Sequence, residues 1–304
     1  VGYLVFQERG ECCLLIDATA IARHPLFFAN LLSGCGLSDD QGRRLDPLTV
    51  WQAVAGGSWQ ALLSAHMAEK VPPAMHAAIQ KNLVIKRSVS REDGICTVFR
   101  EQDGTLQVSK CPLNQTCVET LAGDPIFPGV AYDIHLRQLA ARSDWQAWRQ
   151  ALQQFVEAVF QRFALNQDCL QGEAIDAIAR NAVLDEQAGI AFFDLEFADY
   201  ATPAKTFFIY RLCLSLAGRR AEYLADSGFS CLYELYGHLC DSFGLRPAYL
   251  ADVRREAEFQ AWVAGRPVGK VKYARGLRPF GQRHRLRCLN YRLRLLAARV
   301  VNKG

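Results

Sequence analysis

The chain has 304 residues, 50% of them apolar and 11% aromatic, and a formal net charge of +4. That length can bury one large core or two lobes, and no stretch approaches the roughly 18 to 20 uninterrupted apolar residues of a membrane-spanning helix, so the chain reads as globular. Eleven cysteines and six histidines contain no C-x-x-C pair and no zinc-type spacing, and Cys96, Cys213 and Cys240 sit in apolar surroundings, which excludes a metal cluster or disulfide framework and points to reduced thiols in the cytoplasm.

Residues 1–80 form a mixed segment of unknown role. Short apolar runs at 3–6 and 13–16 read as paired strands, with helices expected near 21–32 and 50–68. Gly56-Gly57 is an isolated pair, and no G-x-G-x-x-G follows a strand, so no dinucleotide or methyl-donor site is assigned. Three strands are expected next, at 83–88, 95–100 and 105–111, separated by turns containing Gly94 and Gly104. A short helix at 116–122 would carry Glu119.

A longer helix at 145–163 keeps Trp148, Leu152, Phe155, Val159 and Phe163 on one face, the mark of a core helix. Beyond it, Asp176 and Asn181 lie in a loop before the apolar run 182–184. After the turn 185–189 a second run, 190–193, ends at Asp194. The segment thus reads as loop, strand, turn and strand, a layout that lets Asp176, Asn181 and Asp194 converge. The residue types suit one chemistry: a carboxylate to orient or deprotonate a hydroxyl, and an amide oxygen with a second carboxylate to hold magnesium against nucleotide phosphates.

This Asp-x4-Asn spacing followed by a second Asp resembles the catalytic loop and metal-binding Asp of protein-kinase-like phosphotransferases. Asp194-Leu195-Glu196 is similar to the Asp-x-Glu version of aminoglycoside and choline kinases. At a larger scale, Asp176 to Asn181, Phe192 to Phe197, Tyr210-Arg211-Leu212 and Glu258-Phe259-Gln260 resemble a kinase-like module of bacterial surface-polysaccharide proteins. The resemblance covers about half of the chain. It implies an α+β, two-lobed protein-kinase-like fold, with a small β-rich lobe at 81–130, a helical lobe at 131–265 and a basic tail at 266–304. It also implies Mg2+ and ATP as cofactors and a sugar or glycan acceptor in lipopolysaccharide-type biosynthesis.

Within that resemblance Asp176 is the catalytic residue, and Asn181 and Asp194 are the metal ligands. Lys110, on the strand at 105–111, is the phosphate clamp, Glu119 its helix partner, and Gly94 stands in for a glycine-rich phosphate loop that is otherwise missing. The chain departs from the pattern at Ala174, where a histidine normally braces the catalytic loop. Where that pattern has a further Asp to brace the loop, Lys205 to Arg211 follows here, and Arg211 is the proposed substitute, pairing with a carboxylate. A non-catalytic kinase-fold scaffold that positions glycan-assembly enzymes at the inner membrane is the alternative function.

Further helices are expected at 206–217, 231–243 and 247–263. After Glu258 there is no acidic residue and there are twelve basic ones, without which the net charge of +4 becomes −8. Leu286, Leu289, Leu293, Leu296 and Val300 repeat at spacings of three and four among arginines, a basic amphipathic helix. Such a helix packs on its own acidic body, meets an anionic membrane surface or a membrane-associated glycan-assembly protein, or binds nucleic acid. Nucleic acid ranks last, because only Tyr273, Phe280 and Tyr291 offer stacking groups.

Overall fold

The computed structural model describes residues 3–8, 12–34, 37, 41, 43–58, 84–88, 95–102, 105–112, 124–125, 128–185, 189–195, 197, 200–217, 221–264 and 277–301. The protein is α+β and mostly helical. It divides into two units, one of residues 1–130 with 185–187 and 263–265, the other of residues 131–184, 188–262 and 266–304.

The first unit contains a six-stranded antiparallel sheet in sequential order: β1 (Tyr3–Glu8), β2 (Cys12–Asp17), β3 (Val84–Ser88), β4 (Ile95–Gln102), β5 (Thr105–Pro112) and β6 (Asp124–Pro125). Register pairs Leu4 with Ile16, Ile16 with Val84, Val84 with Phe99, and Phe99 with Val108. One apolar row therefore crosses five strands. The pairing of β2 with β3 joins the N-terminal hairpin to the strands expected at 83–111. Helices α1 (Ala18–Arg23), α2 (Pro25–Gly34) and α3 (Pro47–Ala55) belong to the same unit. Asp46 starts α3 by accepting from Leu48 N and Thr49 N at 2.9 and 3.1 Å, with Pro47 in the first turn where its missing N–H costs nothing. The Trp51 indole donates to Asn30 Oδ1 at 2.8 Å, and Asn30 Nδ2 donates to the Gly129 carbonyl at 2.9 Å.

The second unit holds helices α4 (Tyr132–Ala141), α5 (Trp145–Arg162), α6 (Lys205–Ala217), α7 (Leu232–Ser242), all but the last two residues of α8 (Tyr249–Ala264), and α9 (Arg285–Val301), with most of a small antiparallel sheet of β7 (Val130–Ala131), β8 (Ala182–Asp185) and β9 (Gly189–Phe192). Asp144 caps α5 by accepting from Ala147 N, and Trp148, Leu152, Phe155, Val156 and Val159 are buried along it. Each such side chain contributes about 1.5–3 kcal/mol by leaving water. Helix α4 was not visible in the sequence. Its buried Tyr132, Ile134 and Leu136 alternate with more open positions, a strand-like period, and its N-cap Ala131 has no capping side chain.

Candidate functional site

Asp176 ends a 3₁₀ turn, Gly172–Asp176, and Asn181 ends a second one, Ala179–Asn181, that runs directly into β8. Between them Ala177, Ile178 and Ala179 are buried, so this loop is seated in the core by its own apolar side chains. Asp176 and Asn181 are themselves buried, at 4% and 6% exposure. Buried polar groups need partners. Asn181 Nδ2 donates to the Asp176 carbonyl at 2.9 Å, and its backbone N donates to Ile178 O at 2.8 Å. The first of these bonds ties the Asn181 amide nitrogen to the loop.

The far end of the hairpin meets the same residue. Phe193 N donates to the Asn181 carbonyl at 3.0 Å, which sets Asp194 next to Asn181. Asp194 is exposed, and its φ of 61° lies in the left-handed region. Such a conformation in a residue other than glycine costs free energy and persists where the surroundings over-determine it. One continuous hydrogen-bonded path thus joins Asp176, Asn181 and the residue before Asp194.

Arg211, on α6, is the brace. Its Nε donates to the Ile175 carbonyl at 2.7 Å, Nη1 donates to Glu256 Oε2 of α8 at 2.8 Å, and Nη2 lies 3.9 Å from Asp176 Oδ1. The guanidinium also stacks over the Phe259 ring, 4.1 Å from its centroid. Arg211 and Glu256 are both buried. The expected pairing of Arg211 with a carboxylate is present, and it involves two carboxylates. Ala174, where a bracing side chain was missing, is fully buried, and the loop is held from the opposite sequence direction by Arg211. Glu256 escaped the sequence reading because 45 residues separate it from Arg211 and no local pattern links a helix glutamate to so distant a partner.

Two further polar groups hold the helices around this loop. Tyr236 donates to Asp252 Oδ2 at 2.8 Å while accepting from Ala248 N at 2.7 Å, and Thr206 Oγ1 lies 3.5 Å from Asp252 Oδ1. Burial pushes the Asp252 carboxyl up, against the hydrogen bonds from Tyr236 and Thr206 and the charge of Arg255. Burial likewise raises the Asp133 carboxyl at the start of α4, opposed first by Arg137 and more weakly by Arg180 of the Asp176–Asn181 loop.

Lys110 lies on β5 opposite Thr97, the fifth strand of the six-stranded sheet and part of the first unit. Gly94 and Glu119 fall outside the described residues. No group of three or more His, Cys, Asp or Glu that would hold a metal ion occurs among the described residues. The Asn181 amide oxygen and the Asp194 carboxylate nonetheless fit magnesium, which takes hard oxygen ligands and is usually bound by one or two protein groups with phosphates and water completing its shell. No protein-family model, curated protein or solved structure matches the chain.

Proposed function

We propose that the chain is a magnesium- and ATP-dependent phosphotransferase with a two-lobed protein-kinase-like fold, acting on a hydroxyl of a sugar or glycan in surface-polysaccharide biosynthesis. The observation that supports this reading is the hydrogen-bonded path from the Asp176 carbonyl through Asn181 to Phe193, which ties the backbone around the three residues into one loop and hairpin. Asp176 orients or deprotonates the attacking hydroxyl, held in place by Arg211 behind it. Asn181 Oδ1 and Asp194 are the oxygen ligands for magnesium, which when bound neutralises charge on the nucleotide phosphates. The proposal keeps Lys110, Glu119 and Gly94 as its nucleotide-binding residues.

The second reading is a kinase-fold scaffold without turnover, favoured by the alanine at position 174. One experiment separates the two without knowledge of the acceptor: the melting-temperature shift with ATP, with and without magnesium. A ligand that binds only the folded state stabilises it by RT ln(1 + [L]/Kd), about 2.7 kcal/mol at a hundredfold excess over Kd. A magnesium-dependent shift supports the phosphotransferase, and its absence at millimolar ATP turns the reading to the scaffold.

A further inference from the structure

We propose that helix α9 is a docking surface for an anionic lipid bilayer, with the leucine row of the helix turned toward the lipid. The structure fixes which side of the helix is already used. Cys288 is buried at 2% exposure in a cluster with Cys231 and Leu277, and Tyr291 packs against that cluster, its ring centroid 5.3 Å from that of Tyr233. Arg287 pairs with Glu234, whose other carboxylate oxygen accepts from Ser230 N and Oγ at 2.7 and 2.6 Å. Just before the helix, Arg283 Nη2 donates to the Ala225 carbonyl at 2.6 Å and pairs with Asp226, and Phe280 N donates to Ser230 O at 2.9 Å. The start of α9 is therefore clamped to α7 and the turn before it along one face.

The apolar row is not part of that clamp. Leu286, Leu289 and Leu293 are exposed by 78%, 49% and 57%, and the sequence continues their spacing at Leu296 and Val300. At about 100° per residue the row runs nearly opposite Cys288 and Tyr291. Leucines three and four residues apart are ordinarily the buried side of a helix. Here the chain's own core takes the other side and leaves Leu286, Leu289 and Leu293 in solvent.

Charge selects the occupant. Arg285, Arg292 and Arg299 follow one flank of the leucine row, Arg294 falls toward the other, Arg287 is held by Glu234, and no acidic residue occurs after Glu258. A helix with apolar residues between basic flanks suits the interface of an anionic bilayer, which receives both flanks at once. A coiled-coil partner fits less well. Basic residues along the row would repel a second copy of this helix across such a seam. No described helix is long and apolar enough to cross a membrane, so the contact is with the surface.

The test is co-sedimentation of the full chain with vesicles of phosphatidylcholine alone or with phosphatidylglycerol at about one third, in low and high salt. Three proteins are compared: wild type, a Leu286→Ser, Leu289→Ser, Leu293→Ser variant and an Arg285→Gln, Arg292→Gln variant. All five positions are exposed, and unchanged melting confirms that each variant is folded. The expected result is binding to the anionic vesicles only, reduced at least tenfold by either set of substitutions and by high salt, which shortens the reach of charge. Equal binding to both vesicle types, or leucine-variant binding equal to wild type, overturns the proposal. So does a wild type that ignores vesicles but forms an oligomer that the leucine variant cannot, because the row would then be a protein interface.

Discussion

Arg211 Nε donates to the carbonyl oxygen of Ile175 at 2.7 Å, and Ile175 is the residue directly before Asp176. A side chain on one helix thereby fixes the backbone that presents the candidate catalytic carboxylate. A second helix holds Arg211 in turn, through Glu256 at 2.8 Å. The three elements concerned, loop, α6 and α8, are joined by one guanidinium.

Removing that guanidinium leaves Glu256 as an uncompensated buried charge and the Ile175 carbonyl without its donor. Breaking a buried pair from one side costs about 3–5 kcal/mol, more than the net worth of the pair. Arg211→Ala should lose stability on that scale. Arg211→Ala with Glu256→Ala should lose less than Arg211→Ala alone, because the second substitution removes the stranded charge. Chemical denaturation of the four members of the cycle measures this, and additive losses would show that the two residues act independently.

Asn181 has a double part, since its Nδ2 holds the loop and its Oδ1 is the proposed ligand. Asn181→Ala leaves the Asp176 carbonyl without that donor, at a cost of about 1–3 kcal/mol. The same change should abolish the magnesium-dependent part of the ATP-induced melting shift. Asp176→Asn should keep that shift and remove turnover, because the hydroxyl-orienting charge is lost while the ligands stay. An intact magnesium-dependent shift in Asn181→Ala would refute the ligand role of its amide.

For Asp194 the backbone must be separated from the carboxylate. At φ 61° glycine is the least strained replacement, whereas a β-branched residue is strained by its Cβ. Asp194→Gly should melt close to wild type yet lose the magnesium-dependent shift. Asp194→Val should lose the shift and melt lower, by a free energy on the order of 1–3 kcal/mol. Should Asp194→Gly retain the full shift, the metal assignment would fail while the fold remained intact.

Much of this architecture was legible because its signals are local. The alternating and aromatic runs announced β3, β4 and β5, the Trp148-to-Val159 stripe announced α5, and the Asp176, Asn181, Asp194 spacing announced a loop and hairpin whose hydrogen bonds now join it. The unread parts depend on distant partners. Helix α4 carries Tyr132, Ile134 and Leu136 at a strand-like period and is fixed by packing, with Tyr132 donating to the Ala151 carbonyl at 2.8 Å. Glu256 and Asp252 look like ordinary polar positions of α8 until α6 and α7 bring Arg211 and Tyr236 to them. The amphipathic period of α9 was plain in the sequence, but which face docks is set by Cys288, Tyr291 and Arg287 rather than by the leucines.

Asp252 provides a test by pH. It is fully buried, and burial raises its carboxyl above the ordinary value of 3.8 despite the hydrogen bonds from Tyr236 and Thr206 and the nearby Arg255. A carboxyl whose pKa is raised in the folded state holds its proton there more tightly than in the unfolded chain. Its contribution to stability is therefore fully present below pH 3.8 and declines as pH rises through the folded pKa. Asp252→Asn keeps an oxygen to accept from Tyr236 but never ionises. Its melting temperature should match wild type near pH 4, exceed it at pH 8, and vary less in between. A variant that melts lower by the same amount at both ends would mean that the folded protein needs the charge at Asp252, and that Tyr236, Thr206 and Arg255 together outweigh its burial.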